Sequence, residues 1–188
     1  MCRRENDDLL MHVAQKASND DMTELPKLGT FETLLQSHFN SDGYIPGSLL
    51  FLDIDNLGQL NNTYGHPTAD KVIKTVGSTI KSGVRQSDIV CRRSGDEFLV
   101  YLCRATEGQA QMVVHRLQDR LALSTKQNQE KIPHFSVSIG VAKCQGNYDL
   151  AVYPAEEALR CTKQQKGQVV VYQPDMHFLR SVAQPIHA

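Results

Sequence analysis

The sequence has no apolar run approaching the roughly eighteen residues needed to cross a bilayer. Its opening MCRRENDDLL also lacks the apolar stretch of a signal peptide. No CxxC pair occurs, and the five cysteines carry no His partners at metal spacing, a usage that fits free thiols in a reducing compartment. Nor is there an excess of either charge. Twenty basic against 21 acidic residues give a formal charge of -1, so no global field draws the chain onto DNA, RNA or a phospholipid surface. The reading is of a cytoplasmic chain without membrane contact of its own, in which any anion site is local. Repeats and low-complexity tracts are absent as well.

What is present is an alternation of short elements in 188 residues, enough for one domain with small appendages. Residues 5 to 18 carry Leu9, Leu10, Val13 and Ala17 on one helical face and read as a linker helix over 1–19. Thr30 is a candidate cap for a helix with Phe31, Leu34, Leu35 and His38, and SLLFLDID reads as a central strand buried on both faces. A helix follows over residues 68–82, then a hairpin over 88–103 turning at Ser94, Gly95 and Asp96. Ala110, Val113, Leu117 and Leu121 mark a further helix. HFSVSIGVAK alternates as a strand with one buried face, YPAEEALRCTKQQ is helical, and GQVVVY is a last strand. The main domain covers 20–173, and the tail 174–188 has no clear periodicity.

The centre is β-α-β-β-α-β, an α+β fold of the ferredoxin-like or palm type: a central mixed, largely antiparallel sheet surrounded by helices. Its geometry makes a prediction about acids distant in sequence. With the third strand inserted antiparallel between the first two, the hairpin tip lies at the carboxyl end of the first. Asp53 and Asp55 are then expected beside Asp96 and Glu97. Carboxylates gathered in this way repel unless a cation lies among them, and Mg²⁺ suits few carboxylates plus substrate phosphates.

In SLLFLDIDNLGQLNNTYGHPTADKVIKTV, RQSDIVCRRSGDEFLVYL, VSIGVA and ALRCTKQQKGQVVVY, taken in that order, the chain resembles the GGDEF domain of bacterial diguanylate cyclases over about residues 20 to 172. That resemblance implies condensation of two GTP into cyclic di-GMP with loss of two pyrophosphates, across a two-fold homodimer, weak for an isolated domain. It implies Mg²⁺ or Mn²⁺ held by Asp53, Asp96 and the Ile54 carbonyl, with Glu97 helping to hold the metal or the reacting hydroxyl. Asn61 and Asp70 match the guanine-reading pair, Arg92 and Lys163 the phosphate cations, and Gly95 the second turn glycine. RQSD matches the family's RxxD product-inhibition site, so Arg85 and Asp88 are expected to bind cyclic di-GMP.

The departures are specific. Ser94 replaces the first turn glycine, where a side chain in left-handed backbone would cost about 1–2 kcal/mol. Gly58 stands where a phosphate-touching lysine is usual, Asn62 where an aspartate is usual, and TELPKL lacks the usual glycine, asparagine and arginine. KQQKGQ is one residue short, so Lys166 is expected to substitute for a missing arginine. Two classes are therefore in view: an active cyclase, favoured by the retained acids and guanine pair, and a receptor that binds cyclic di-GMP or GTP without turnover.

Overall fold

The computed structural model describes residues 18–42, 46–127, 132–145, 147–162, 166–174 and 176. Residues 1–17 of the linker helix anticipated over 1–19, nearly all of the tail, and Lys163 lie outside them. Helix α1 (Leu28–Asp42) leads into β1 (Pro46–Ile54), then α2 (Leu57–Tyr64) and α3 (His66–Gly83). Strands β2 (Ile89–Ser94) and β3 (Glu97–Cys103) form the hairpin, followed by α4 (Glu107–Gln127), β4 (Val137–Gln145), α5 (Tyr148–Cys161) and β5 (Val169–Val171).

The sheet order is β2-β3-β1-β4-β5, with β1 antiparallel to both β3 and β4 and β5 parallel to β4. β1 is thus the central strand, as its apolar run implies. Alternation sends Leu50, Leu52 and Ile54 into a core shared with Leu60, Val72, Val76 and Val114 of α2, α3 and α4. Leu49 and Phe51 point the other way, against Phe31 and Leu35 of α1 and Ala155 and Leu159 of α5. Each of these large side chains contributes about 1.5–3 kcal/mol on burial, and the two layers clamp β1 from both sides.

Three local expectations change. Thr30 does not cap α1: the helix begins at Leu28, and the Thr30 hydroxyl donates to the Ser18 carbonyl at 2.8 Å. β4 is buried on both faces, because Ser138, Gly140 and Ala142 are small enough for α5 to lie directly on them. α5 begins five residues before Tyr153, where Asn147 Oδ1 accepts from the Asp149 N–H at 2.9 Å. The missing glycine of TELPKL has a visible consequence. Glu24 takes φ +58, left-handed backbone in which a side chain costs about 1–2 kcal/mol.

Candidate active site

The β1–β3 ladder ends with Asp53 opposite Glu97, so the two side chains share a face of the sheet. One residue on, the Ile54 N–H donates to the Asp96 carbonyl at 3.1 Å. Residues forty positions apart in sequence therefore meet at the carboxyl end of β1, as the topology requires. Asp53 is 9% exposed.

The fourth acid behaves differently. Asp55 is buried, and its carboxylate accepts from Ser136 Oγ at 2.6 Å, Ser138 Oγ at 2.7 Å and the Gly167 N–H at 2.9 Å. It turns toward β4 and fixes the 166–167 loop against the end of β1. Glu97 Oε2 in turn accepts from Ser94 Oγ at 2.8 Å and lies 3.5 Å from Arg93 Nη1, whose guanidinium stacks on Phe51. The anticipated cluster of three or four acids is not assembled: no group of three or more metal-ligating side chains occurs among the described residues. The donors still fit a hard divalent cation in a smaller set. Two aspartates and a backbone carbonyl at one strand end suit an ion whose remaining ligands come from substrate phosphates and water.

The turn carries no strain at Ser94. Among the described residues positive φ outside glycine is confined to Glu24, Asn56 and Arg104, and the left-handed position in the hairpin belongs to Gly95 at φ +37. Ser94 is the last residue of β2, so its replacement of glycine costs no backbone energy and adds a hydroxyl donor to Glu97.

Arg92 is 11% exposed at its side chain and fully engaged. Nη1 contacts Asp20 Oδ1 at 3.0 Å and Oδ2 at 3.1 Å, while Nε and Nη2 donate to the Gly95 carbonyl at 3.1 and 2.7 Å. Here Arg92 ties the acid-bearing turn to the segment before α1, a position that leaves little of the guanidinium for phosphate. Burial opposes ionisation of Asp20, but hydrogen bonds from Thr23 and Arg92 outweigh it and hold the carboxyl below its ordinary 3.8. A depressed carboxyl contributes stability above its unfolded pKa, and that contribution is lost as pH falls through the folded value. Urea unfolding is expected to find Asp20→Asn less stable than wild type at pH 7, with the gap closing as pH falls below 3.8. A gap of constant size would remove the clamp.

On the opposite face, α2 and α3 meet at Gly65, whose φ of +81 permits the sharp turn and whose N–H donates to the Asn61 carbonyl at 2.8 Å. Asn61 Oδ1 is buried and has no hydrogen-bond partner among the described residues. An orphaned acceptor of this kind costs about 1–3 kcal/mol unless a ligand donates to it. Asp70 is half-buried in the first turns of α3. Lys166 Nζ bonds Asn56 Oδ1 at the start of α2, held there through Asp55 and Gly167. Sequence reasoning missed this stapling function of Asp55, because the serines that define it lie 81 and 83 residues away.

The RxxD residues form a self-capped turn. Asp88 Oδ2 accepts from the Arg85 N–H at 2.8 Å, and Oδ1 accepts from the Cys103 N–H at 3.1 Å. Arg85 is exposed, and both residues line a cleft of about 530 Å³ with Lys81 and His38.

Residues 17–168 match the family model described as "Diguanylate cyclase, GGDEF domain". The chain belongs to the GGDEF domain family. It is 34% identical over 131 residues to diguanylate cyclase DosC of Escherichia coli K12, covering 68% of this chain and 28% of that protein. It is 33% identical over 162 residues to diguanylate cyclase A of Treponema denticola, covering 81% of this chain and 43% of the relative. The chain thus spans under half the length of either. Among solved structures, the GGDEF domain of DgcB from Caulobacter crescentus in complex with c-di-GMP superimposes with a TM-score of 0.69 at 25% identity, covering 82% of this chain and 95% of that one.

Proposed function

We propose that this domain condenses two GTP molecules into cyclic di-GMP, releasing two pyrophosphates, with two copies facing each other so that each 3'-hydroxyl attacks the α-phosphorus of the nucleotide on the other. The observation that carries this reading is the docking of the hairpin turn on the end of β1, with Asp53 opposite Glu97 and the Ile54 N–H donating to the Asp96 carbonyl. Asp53, Asp96 and the Ile54 carbonyl would hold a divalent cation, Mg²⁺ or Mn²⁺, which would supply neutralisation of phosphate charge. Asn61 Oδ1 accepts from the guanine edge, which would satisfy its orphaned lone pairs, and the Asp70 carboxylate accepts from the purine's remaining donors. Glu97 receives the proton of the attacking hydroxyl, with Ser94 steadying its carboxylate. Lys166 and Lys163 counter phosphate charge, and Arg92 holds the turn in place. Chromatography of a GTP and Mg²⁺ incubation is expected to show cyclic di-GMP. Nucleotide binding without product would make the domain a receptor.

Gly58 offers a direct probe of the missing cation. It is exposed, and a Cβ added there meets nothing within 4 Å. Gly58→Lys is expected to stabilise the fold by about 0.5–1 kcal/mol through helix propensity and to lower the KM for GTP, measured by urea unfolding and initial rates.

Product inhibition is assigned to Arg85 and Asp88. Arg85 is an exposed residue lining the cleft, and the Asp88 oxygens retain lone pairs beyond the two N–H groups they accept. Removing a charge-assisted bidentate donor costs roughly tenfold or more in affinity. Calorimetry is expected to show that loss for cyclic di-GMP in Arg85→Ala, and an unchanged affinity would exclude the site.

A further inference from the structure

We propose that Cys103 and His38, the latter lining the RxxD cleft, form a thiol–imidazole couple that reacts with hydroperoxides, making Cys103 a modification site coupled to product binding. His38, on α1, places Nε2 3.1 Å from Cys103 Sγ at the end of β3. Its ring packs edge-on against Tyr101 and at a tilt against Phe39, at centroid distances of 6.0 and 6.2 Å. Among the described residues the other thiols lack this setting. Cys91 and Cys144 are buried, and burial pushes the Cys91 thiol up to about 12, whereas Cys103 is partly open to solvent. His38 also lines the cleft, where Lys81 and Arg85 are cations and Asp88 is the acid. Both Asp88 oxygens already accept N–H groups, one of them from Cys103 itself. An imidazole nitrogen at this distance is placed to take the thiol proton as the sulfur attacks.

The chemistry closes on the groups present plus the peroxide. The Sγ proton passes to Nε2, and the thiolate attacks the terminal hydroperoxide oxygen. The O–O bond breaks, the imidazolium returns its proton to the departing alkoxide, and an alcohol and Cys103 sulfenic acid result. Sulfur loses two electrons and the peroxide gains them. The new S–OH belongs to the residue whose N–H holds Asp88, so it disturbs the turn that presents Arg85. This coupling rests on the product-site reading above.

The test compares thiols within one molecule. Peptide-resolved alkylation of the intact chain by iodoacetamide at pH 7 is expected to modify Cys103 about tenfold faster than the more exposed Cys161, and His38→Asn is expected to remove that advantage. Equal rates in the wild type, or an unaltered rate in His38→Asn, overturn the couple without recourse to any folding defect. After hydrogen peroxide treatment, dimedone is expected to trap Cys103, and calorimetry to show cyclic di-GMP binding weakened about tenfold in the wild type and unchanged in Cys103→Ser. A trapped Cys103 with unaltered affinity overturns the coupling. Failure of the untreated protein to bind cyclic di-GMP overturns the product-site reading and with it the coupling, while the alkylation rates still decide the couple.

Discussion

Asp53→Asn is expected to lose about a thousandfold or more of cyclase turnover while melting at the same temperature as the wild type or higher, because the residue serves charge rather than packing. Phosphoryl transfer leaves the protein little covalent chemistry; its rate depends on oxygens positioned to neutralise developing charge. Asparagine keeps the shape of the side chain and removes the formal charge. Removing one fixed electrostatic contributor from a reacting centre costs about 3–4 kcal/mol, or two to three powers of ten, and a metal-ligating carboxylate belongs at the upper end. Stability moves the other way. Asp53 stands opposite Glu97 at the end of the ladder, and like charges in a cross-strand pair are destabilising. Neutralising one of them relieves repulsion that the fold otherwise carries. Product chromatography with a thermal melt on the same sample decides the matter: an Asn variant retaining turnover would remove Asp53 from the chemistry, and an unfolded one would make it structural.

The second large effect is on stability alone. Gly140→Ala is expected to cost about 3 kcal/mol and to lower the melting temperature by roughly 10 °C. A Cβ at this position of β4 would lie 2.1 Å from the Ala155 carbonyl oxygen, 2.4 Å from the Leu159 nitrogen and 2.9 Å from the Leu159 Cα. All three are backbone atoms of α5. No flexible side chain is available to swing aside, so the whole helix must lift from the sheet, and Ala151, Ala155 and Leu159 lose part of their contact with Phe51 and Ala142. A melt within a degree or two of wild type would mean that α5 is not seated on β4 as described.

Apart from the short helix α2 (Leu57–Tyr64), the order of elements, the central place of β1 and the meeting of the 53–55 and 94–97 segments were legible without coordinates. Continuous apolar runs, alternating runs and turn residues each imply one local geometry, and the right-handed crossover leaves few ways to join them. The burial of β4 was not legible from its alternation. Ser138, Gly140 and Ala142 look like a solvent face by polarity and are an interior face by size, a distinction that depends on what packs above them. Likewise, left-handed backbone at the first turn position was an inference from the usual glycine; the β2–β3 register instead places the turn at Gly95 and leaves Ser94 extended.

By itself the sequence determined which groups this chain owns and roughly where along the sheet they fall: acids at the end of β1 and at the hairpin, an amide and a carboxylate on α2 and α3, an RxxD turn before β2. Tertiary structure alone decided what each group is spent on. Asp55 went to two serines and a backbone N–H across β4, Arg92 to Asp20 72 residues away, and Glu97 to Ser94, while Asn61 Oδ1 was left without a partner among the described residues. A side chain's charge and hydrogen-bonding capacity are fixed by its chemistry, but its partner is fixed by which distant backbone the packing brings within about 3 Å, and that distance is set by the whole fold.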